Sequence, residues 1–290
     1  MTNWITRFSP AKINLALHVV GQRADGYHLL QSLVVFAGTG DQLAARPGNM
    51  DNLKLDGPFA SGLHGSGQNL VLDAIAAFRE KFPEHLPAGV EVKLTKNLPV
   101  ASGIGGGSSN AAAMLRILER LARLPVERSE LDVLAVQLGA DVPACLLQKP
   151  QIMAGIGEKL RLADALPEAH LVLVNPKKHI RTADVFSRLE NRNNTSMPAF
   201  PQSLPKLSVL VDWLKTTRND LVAPAQELVP QITQLTCFLE SQSDCLFARM
   251  SGSGATVFGL FDNEQQATLV AKAAQRRWPQ YWVVSAPMLK

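Results

Sequence analysis

Leu98-Pro99-Val100-Ala101-Ser102-Gly103-Ile104-Gly105-Gly106-Gly107-Ser108-Ser109-Asn110-Ala111-Ala112-Ala113 joins a glycine-dense loop to a run of helix formers. Four glycines within five positions, 103 to 107, let backbone N–H groups converge on an anion without interference from Cβ atoms. Ser108 or Ser109 can cap the helix that follows, and a helix N-terminus carries about half a positive charge. The stretch therefore predicts a phosphate site. Taken alone it is equally a flexible connection.

Working outward, Val90, Val92 and Leu94 alternate with Glu91, Lys93 and Thr95, so a strand leads into the loop. The helix after it is predicted over Asn110 to Arg123, rich in Ala and Leu and ending in a basic turn. Upstream, Lys12 to Val20 reads as a strand with Ile13, Leu15, Leu17 and Val19 on one face and Lys12, Asn14, Ala16 and His18 on a polar one. Asp25-Gly26 marks a turn, Leu29 to Ala37 a returning strand, and Asn69 to Phe82 a helix. Helices are predicted from Ser129 to about Leu138 and again after Gly139-Ala140-Asp141-Val142-Pro143.

Further along, the pattern predicts strands at Gln151 to Ala154, His170 to Asn175, Cys245 to Met250, Thr256 to Phe261 and Trp282 to Ser285. Helices fall near Thr182 to Leu189, Ser208 to Thr216, Pro230 to Glu240 and Asn263 to Trp278. This is an α+β chain whose second half has a ferredoxin-like order. Asn, Ser and Pro cluster between Asn191 and Pro205, where a mobile loop is expected.

Composition narrows the function classes. The chain has 290 residues, 46% hydrophobic and 19% charged, which is ordinary globular composition with room for two domains. A net charge of +4 with scattered Lys and Arg gives no nucleic-acid footprint, while anionic small substrates suit it. Cys145, Cys237 and Cys245 show no CxxC or Cys/His metal spacing and read as buried thiols in a reducing compartment. No apolar run approaches the roughly 18 residues of a membrane span, and the start, Met1 to Arg7, lacks a basic region followed by an apolar core. A cytoplasmic protein without a membrane partner is expected, as a monomer or a homodimer.

Two familiar phosphate loops are excluded. A Walker loop needs a Lys after its last glycine, and Ser108-Ser109-Asn110 follows Gly107; a dinucleotide fingerprint needs a third glycine where Ser108 stands. The rest of the chain offers a different reading. Pro10-Ala11-Lys12-Ile13-Asn14-Leu15, then Pro99-x-x-Ser102-Gly103-x-Gly105-Gly106-Gly107-Ser108-Ser109-Asn110-Ala111-Ala112, then Met250-Ser251-Gly252-Ser253-Gly254-Ala255-Thr256-Val257-Phe258 occur in that order. Together they resemble the three motifs of the GHMP kinase superfamily. Gly26-Tyr27-His28, Leu138-Gly139-Ala140-Asp141-Val142-Pro143 and Asn219-Asp220-Leu221 extend the resemblance over nearly the whole chain, toward the branch that phosphorylates a cytidyl diphosphate alcohol.

The resemblance implies a two-domain GHMP kinase fold, with a ribosomal protein S5 domain 2-like N-terminal domain and a ferredoxin-like C-terminal one. It divides the chain into an ATP-binding and catalytic part, 1–157, and a substrate-binding part, 158–290, whose last strand can return to the first. It implies transfer of the γ-phosphoryl group of ATP, with Mg2+, to the 2-hydroxyl of 4-diphosphocytidyl-2-C-methyl-D-erythritol in the non-mevalonate route to isoprenoid precursors. Other kinases of the superfamily acting on mevalonate, homoserine or a sugar, and a nucleotide sensor without turnover, are the alternatives.

Roles follow by position. Asp141 would accept the hydroxyl proton, although an Asp before Val142-Pro143 is also an ordinary N-cap. Lys12 would hold that carboxylate ionised and offset charge on the moving phosphoryl group; a solvated strand-edge lysine is its plain alternative. The nucleotide falls to Asn69, Leu70, Lys96 and the loop Pro99, Val100, Ala101, Ser102, Gly103, Ile104, Gly105, Gly106, Gly107, Ser108 and Ser109. The cytidyl alcohol falls to Asn14, Tyr27, His28, Thr182, Phe186, Gly252, Ser253 and Gly254, an aromatic ring stacking on the base and His28 bonding its edge. No carboxylate cluster is dedicated to a metal, and Ser109 or water could complete a Mg2+ shell.

Overall fold

The computed structural model describes residues 4–63, 69–122, 126–163 and 166–290. The expected helix end at Arg123 and the first three residues lie outside them. The chain forms two compact units, both discontinuous. The first takes Met1–Ala11, Gly40–Val100 and Gly105–Gln148; the second takes Lys12–Thr39, Ala101–Ile104 and Lys149–Lys290.

Two long strands, β1 (Ile5–Gln22) and β2 (His28–Gly48), are each shared between the units and pair with one another. In the first unit the later part of β2 pairs antiparallel with β4 (Gly89–Thr95), which pairs parallel with the edge strand β3 (Asn52–Asp56). The α-helices of that unit among the described residues are α1 (Leu70–Lys81), α2 (Gly106–Ala122), α3 (Arg128–Leu138) and α4 (Val142–Leu147). The buried residues of α1 are Val71, Ala74, Ile75 and Phe78, at the three- and four-residue steps of one helix face. That face packs on α2.

In the second unit the early part of β2 carries β5 (Gln151–Gly155) along Leu30 to Val34, and β5 carries β6 (Lys159–Leu162). The strands β7 (His170–Asn175), β8 (Phe247–Met250), β9 (Val257–Phe261) and β10 (Trp282–Leu289) lie in the order β10-β7-β9-β8, all antiparallel. That is the order of a ferredoxin-like βαββαβ unit, as expected. Its helices are α5 (Thr182–Ser187), α6 (Leu207–Lys215), α7 (Val222–Leu228), α8 (Gln231–Glu240) and α9 (Glu264–Arg277). Leu17, Val19, Val172, Val174, Ile232, Leu235, Val257 and Phe261 belong to one buried cluster at its centre.

Several local expectations change. The polar face expected along Lys12 to His18 of β1 is buried: Lys12 and Asn14 lie in the interior beside Ile13 and Leu15, and His18 is fully buried. The helix α2 starts at Gly106, four residues before Asn110. Burial of Ser109 to Leu115 holds the glycine turn helical against its poor propensity. β10 runs past Ser285 because Met288 and Leu289 pair with Ala37 and Phe36 of β2. The elements β3, β6 and α7 are additional: the first two are short and largely exposed, and α7 holds Pro224 in its first turn, so none shows a strong period.

Cys145 is buried, but Cys237 is exposed and Cys245 half-buried, so the reading of three buried thiols is corrected. A hydrophilic position on α8 explains Cys237, because the buried stripe of that helix is Ile232, Leu235 and Leu239. The 191–205 segment, where a mobile loop was expected, has no helix or strand and is hydrogen-bonded to its neighbours. The Met197 N–H donates to Gln31 Oε1 at 2.6 Å, the Asn194 N–H to Val19 O at 3.2 Å, and Trp213 Nε1 to Ala199 O at 3.0 Å.

Candidate active site

The second unit builds the middle of the glycine loop. Thr256 Oγ1 donates to Ser102 O at 2.6 Å and Ser251 Oγ donates to Gly103 O at 3.0 Å. In a trans peptide the N–H points opposite its carbonyl, so pinning these two carbonyls aims the N–H groups of Gly103 and Ile104 away from the 251–256 segment. Gly103 has φ +73, and a Cβ there would lie 2.5 Å from Ser251 O and 2.6 Å from Gly254 N. Only glycine fits so close an approach.

The same segment anchors β1. The Asn14 N–H donates to Ser251 Oγ at 3.1 Å, and the Lys12 N–H to Ile104 O at 2.9 Å. Asn219 Nδ2 donates to both Met250 O and Gly252 O at 2.9 Å, which holds the third glycine motif in shape. Asn175 Nδ2 donates to Thr256 Oγ1 at 2.9 Å. Thr256, Asn175 and Asn219 are therefore positioning groups to which the sequence assigned no role, although Thr256 lies in the Met250–Phe258 motif and Asn219 in the pattern Asn219-Asp220-Leu221.

Lys12 is 3% exposed, which removes the reading as a solvated edge lysine. Asn14 donates through Nδ2 to Ser32 Oγ at 2.8 Å, so part of its amide serves the interior. Thr182 Oγ1 lies 3.0 Å from Ser253 Oγ, bringing two of the expected substrate contacts together. The rings of His28 and Phe186 stack with centroids 4.6 Å apart and planes inclined by 23°. Burial and the nearby Arg192 cation hold the His28 imidazole below the usual histidine range. Tyr27, by contrast, is 59% exposed on its turn.

The first unit carries the two ends of the loop. At its start, the Lys96 ammonium donates to Asp41 Oδ2 at 2.6 Å and to Leu98 O at 2.8 Å, with both side chains of the ion pair buried. Burial lowers the Lys96 pKa, and the Asp41 charge opposes that shift. At the loop's far end, Ser109 Oγ is buried with no hydrogen-bond partner among the described residues. Its backbone N–H donates to Gly105 O at 2.8 Å. Asn69 caps α1 by accepting from the Val71 N–H at 3.0 Å, and Leu70 Cδ1 sits 3.5 Å from where a Gly107 Cβ would be. Asp141 stands at the N-cap position of α4, half-buried, but makes no capping bond to the helix. Its carboxylate is thus not spent on the ordinary capping role.

These features are a Lys-free glycine loop opening a helix, braced by a second glycine motif. They match described domains of known proteins. Residues 69–149 match the GHMP kinases N terminal domain, and residues 189–280 the GHMP kinases C terminal domain. The 4-diphosphocytidyl-2-C-methyl-D-erythritol kinase of Chelativorans sp. (strain BNC1) is 47% identical over 95% of this chain and 93% of its own length. The chain belongs to the GHMP kinases.

As a GHMP kinase it is an ATP-using phosphotransferase, and its other relatives agree. The enzyme of the same name from Cereibacter sphaeroides (strain ATCC 17029 / ATH 2.4.9) is 48% identical over 97% of this chain and 98% of its own. A crystal structure of 4-(cytidine 5'-diphospho)-2C-methyl-D-erythritol kinase superposes with a TM-score of 0.78 at 31% identity, over 99% of this chain and 100% of that one. Homoserine kinase from Cytophaga hutchinsonii, at a TM-score of 0.70 and 16% identity over 100% of this chain and 95% of its own, shares the fold. Among the described residues of this GHMP kinase there is no group of three or more His, Cys, Asp or Glu suited to a metal, and no helix is long and apolar enough to cross a membrane.

Proposed function

We propose that this GHMP kinase transfers the γ-phosphoryl group of ATP to the 2-hydroxyl of 4-diphosphocytidyl-2-C-methyl-D-erythritol, a cytoplasmic step of the non-mevalonate route to isoprenoid precursors. The observation that carries the reading is near-half identity, over almost the whole of both chains, to kinases named for that substrate. Kinases of mevalonate, homoserine or a sugar are the second reading. The solved homoserine kinase shares the fold at 16% identity, far below the cytidyl-alcohol relatives.

In this reading the hydroxyl oxygen attacks the γ-phosphorus directly. Its O–H proton passes to Asp141 as the new O–P bond forms, and the bond from the γ-phosphorus to the bridging oxygen breaks to release ADP. A positioned base contributes about 10²–10⁴-fold to such a transfer. Lys12 supplies a desolvated cation whose field is stronger than it would be in water, which offsets charge on the transferring group. The 103 and 104 amides and the α2 N-terminus take phosphate oxygens in place of a Walker lysine. Nucleotide contacts fall mainly within 1–157. The alcohol falls to 158–290 with Asn14, Tyr27 and His28.

The buried Ser109 hydroxyl, without a hydrogen-bond partner among the described residues, is an oxygen ligand of the kind Mg2+ takes, so the residues present fit that ion. Ser109 would help hold Mg2+, which would supply charge neutralisation of the triphosphate. The test is phosphate transfer from ATP to the cytidyl diphosphate alcohol, against mevalonate, homoserine and galactose. Turnover confined to the cytidyl compound supports the reading, and equal or better turnover of another alcohol sinks it. Replacing Tyr27 and Phe186 by Ala is expected to raise KM for the cytidyl alcohol at least tenfold, with KM for ATP unmoved.

A further inference from the structure

We infer that Asp41 is a positioning residue for the nucleotide loop: it sets the distance between the end of β4 and the N-terminus of α2. The inference rests on the reading of that loop as the nucleotide site. Asp41 lies on β2, outside each of the glycine motifs, and its side chain is fully buried.

Its carboxylate accepts four hydrogen bonds from three structural directions. Oδ1 takes the backbone N–H groups of Asn97 at 2.7 Å and Leu98 at 2.8 Å, the two residues that leave β4. Oδ2 takes the Lys96 ammonium at 2.6 Å and Asn110 Nδ2 at 3.0 Å, the latter from the second turn of α2. A carboxylate has about four lone-pair sites, and here four donors are directed at them. The chain between Leu98 and Asn110 is thereby tied at both ends to one group. A Cβ on Gly106 would lie 3.2 Å from Lys96 Nζ and 3.7 Å from Asp41 Oδ2, so the ion pair also abuts the first residue of α2.

Lys96 is held by the same clamp. Two of its three ammonium protons go to Asp41 Oδ2 and Leu98 O, which points the third in a set direction. Close approach of the strands is built around the clamp as well. Gly40, the residue before Asp41, would place a Cβ 2.2 Å from Ser9 O, so glycine there lets β1 and β2 approach and Asp41 sit inward. Asn97 Nδ2 donates back to Gly40 O at 3.1 Å and closes the turn.

Asp41→Asn keeps the volume but exchanges one acceptor oxygen for an NH2 group facing donors, which unties either β4 or α2. The test measures binding of ADP and of a non-hydrolysable ATP analogue by calorimetry, with KM for nucleotide and for alcohol and the thermal midpoint alongside. The expected result is a folded variant with nucleotide binding weakened about tenfold or more, nucleotide KM raised in step and alcohol KM within twofold of wild type. If Asp41→Asn does not fold, Asn110→Ala, which removes only the tie to α2, is expected to weaken nucleotide binding about threefold with alcohol KM unmoved. Unchanged nucleotide binding in a folded variant overturns the inference. So does an equal rise of both KM values, or failure of both variants to fold, each of which assigns Asp41 to stability alone. Wild-type binding of nucleotide with turnover of a different alcohol would instead overturn the substrate reading and leave this one standing.

Discussion

Ser251 Oγ donates to Gly103 O at 3.0 Å across 148 positions of sequence, and the same oxygen accepts from the Asn14 N–H at 3.1 Å. One hydroxyl thus joins three stretches that the sequence shows as separate motifs. The arrangement explains why glycine at 103 and at 252 is not ornamental: a Cβ on Gly252 would lie 2.7 Å from Gly103 O, and one on Gly103 would lie 2.5 Å from Ser251 O. The two loops meet backbone to backbone.

Glycine substitutions should therefore separate by geometry rather than by motif. Gly103→Ala is expected to lose about 2 kcal/mol or more of stability and most nucleotide binding, because it adds a clash at φ +73 with backbone that cannot step aside. Gly107→Ala, whose Cβ would meet Leu70 Cδ1 at 3.5 Å and no closer atom among the described residues, is expected to fold at least as stably as wild type, gaining up to about 1 kcal/mol of helix propensity. Urea unfolding of both variants checks the contrast, and equal losses would contradict it.

Thr256→Val removes a buried hydroxyl that both donates to Ser102 O and accepts from Asn175 Nδ2 at nearly constant shape. Two buried polar groups lose a partner, at about 1–3 kcal/mol each before relaxation. The expected outcome is a lowered unfolding midpoint together with a raised KM for ATP. A midpoint shift with ATP KM unchanged would show that the loop does not depend on this anchor.

Asp141→Asn should leave nucleotide and alcohol binding within a few-fold of wild type while kcat falls by about 10²–10⁴. A thermal scan reads the effect on folding separately from the effect on kcat. Full activity in the folded variant would remove Asp141 from the base role.

Stability should fall as the solution is acidified through the histidine range. His18 is fully buried, with Nδ1 3.3 Å from Thr195 O and Nε2 accepting the Arg218 N–H at 3.1 Å. That pattern assigns the neutral ring with its proton on Nδ1. Burial holds its pKa below the ordinary 6.5 in the folded state, opposed by the Thr195 hydrogen bond; Arg218 and Arg249 add to the lowering and Asp220 opposes it. The unfolded chain therefore takes up the proton first. Stability is at its plateau above about pH 7, declines as pH drops below 6.5, and stops declining once the folded ring is protonated. The Arg218 amide, whose N–H loses its acceptor when Nε2 is protonated, should gain exchange over the same window. His18→Gln should flatten the stability profile, with the residual slope left to His28, whose pKa is lowered in the same direction.

Much of the architecture was legible because its signals are local. Val90, Val92 and Leu94 alternate on β4, α1 begins where Asn69 offers a cap, and the order of strands and helices after His170 suffices to name a ferredoxin-like unit. Elements without a local signal were not legible: β3 and β6 are short and mostly exposed, and the extension of β10 to Leu289 depends on Ala37 and Phe36 of β2. The same division holds at the candidate site. Gly103, Ser109, Lys12 and Asp141 announce themselves through motif and spacing. Asp41 and Asn175 do not, because an Asp within a strand or an Asn at the end of one has no distinguishing neighbours, and Thr256, although inside the third glycine motif, shows no role until Ser102 O and Asn175 are brought against it.

The sequence by itself determined the chemistry on offer: a glycine loop opening a helix without a Walker lysine, a strand lysine, an Asp before a short helix, and the family that combines them. Only the tertiary structure decided which groups give that chemistry its shape. It buried Lys12 and His18 on the polar face that the alternation of β1 predicted, started α2 four residues early within the glycines, and filled the carboxylate of Asp41 from Lys96, Asn97, Leu98 and Asn110. The physical reason is range. Periodicity, caps and turn residues act within a few positions, whereas burial and the pairing of buried polar groups are settled by whichever segments the fold brings against them.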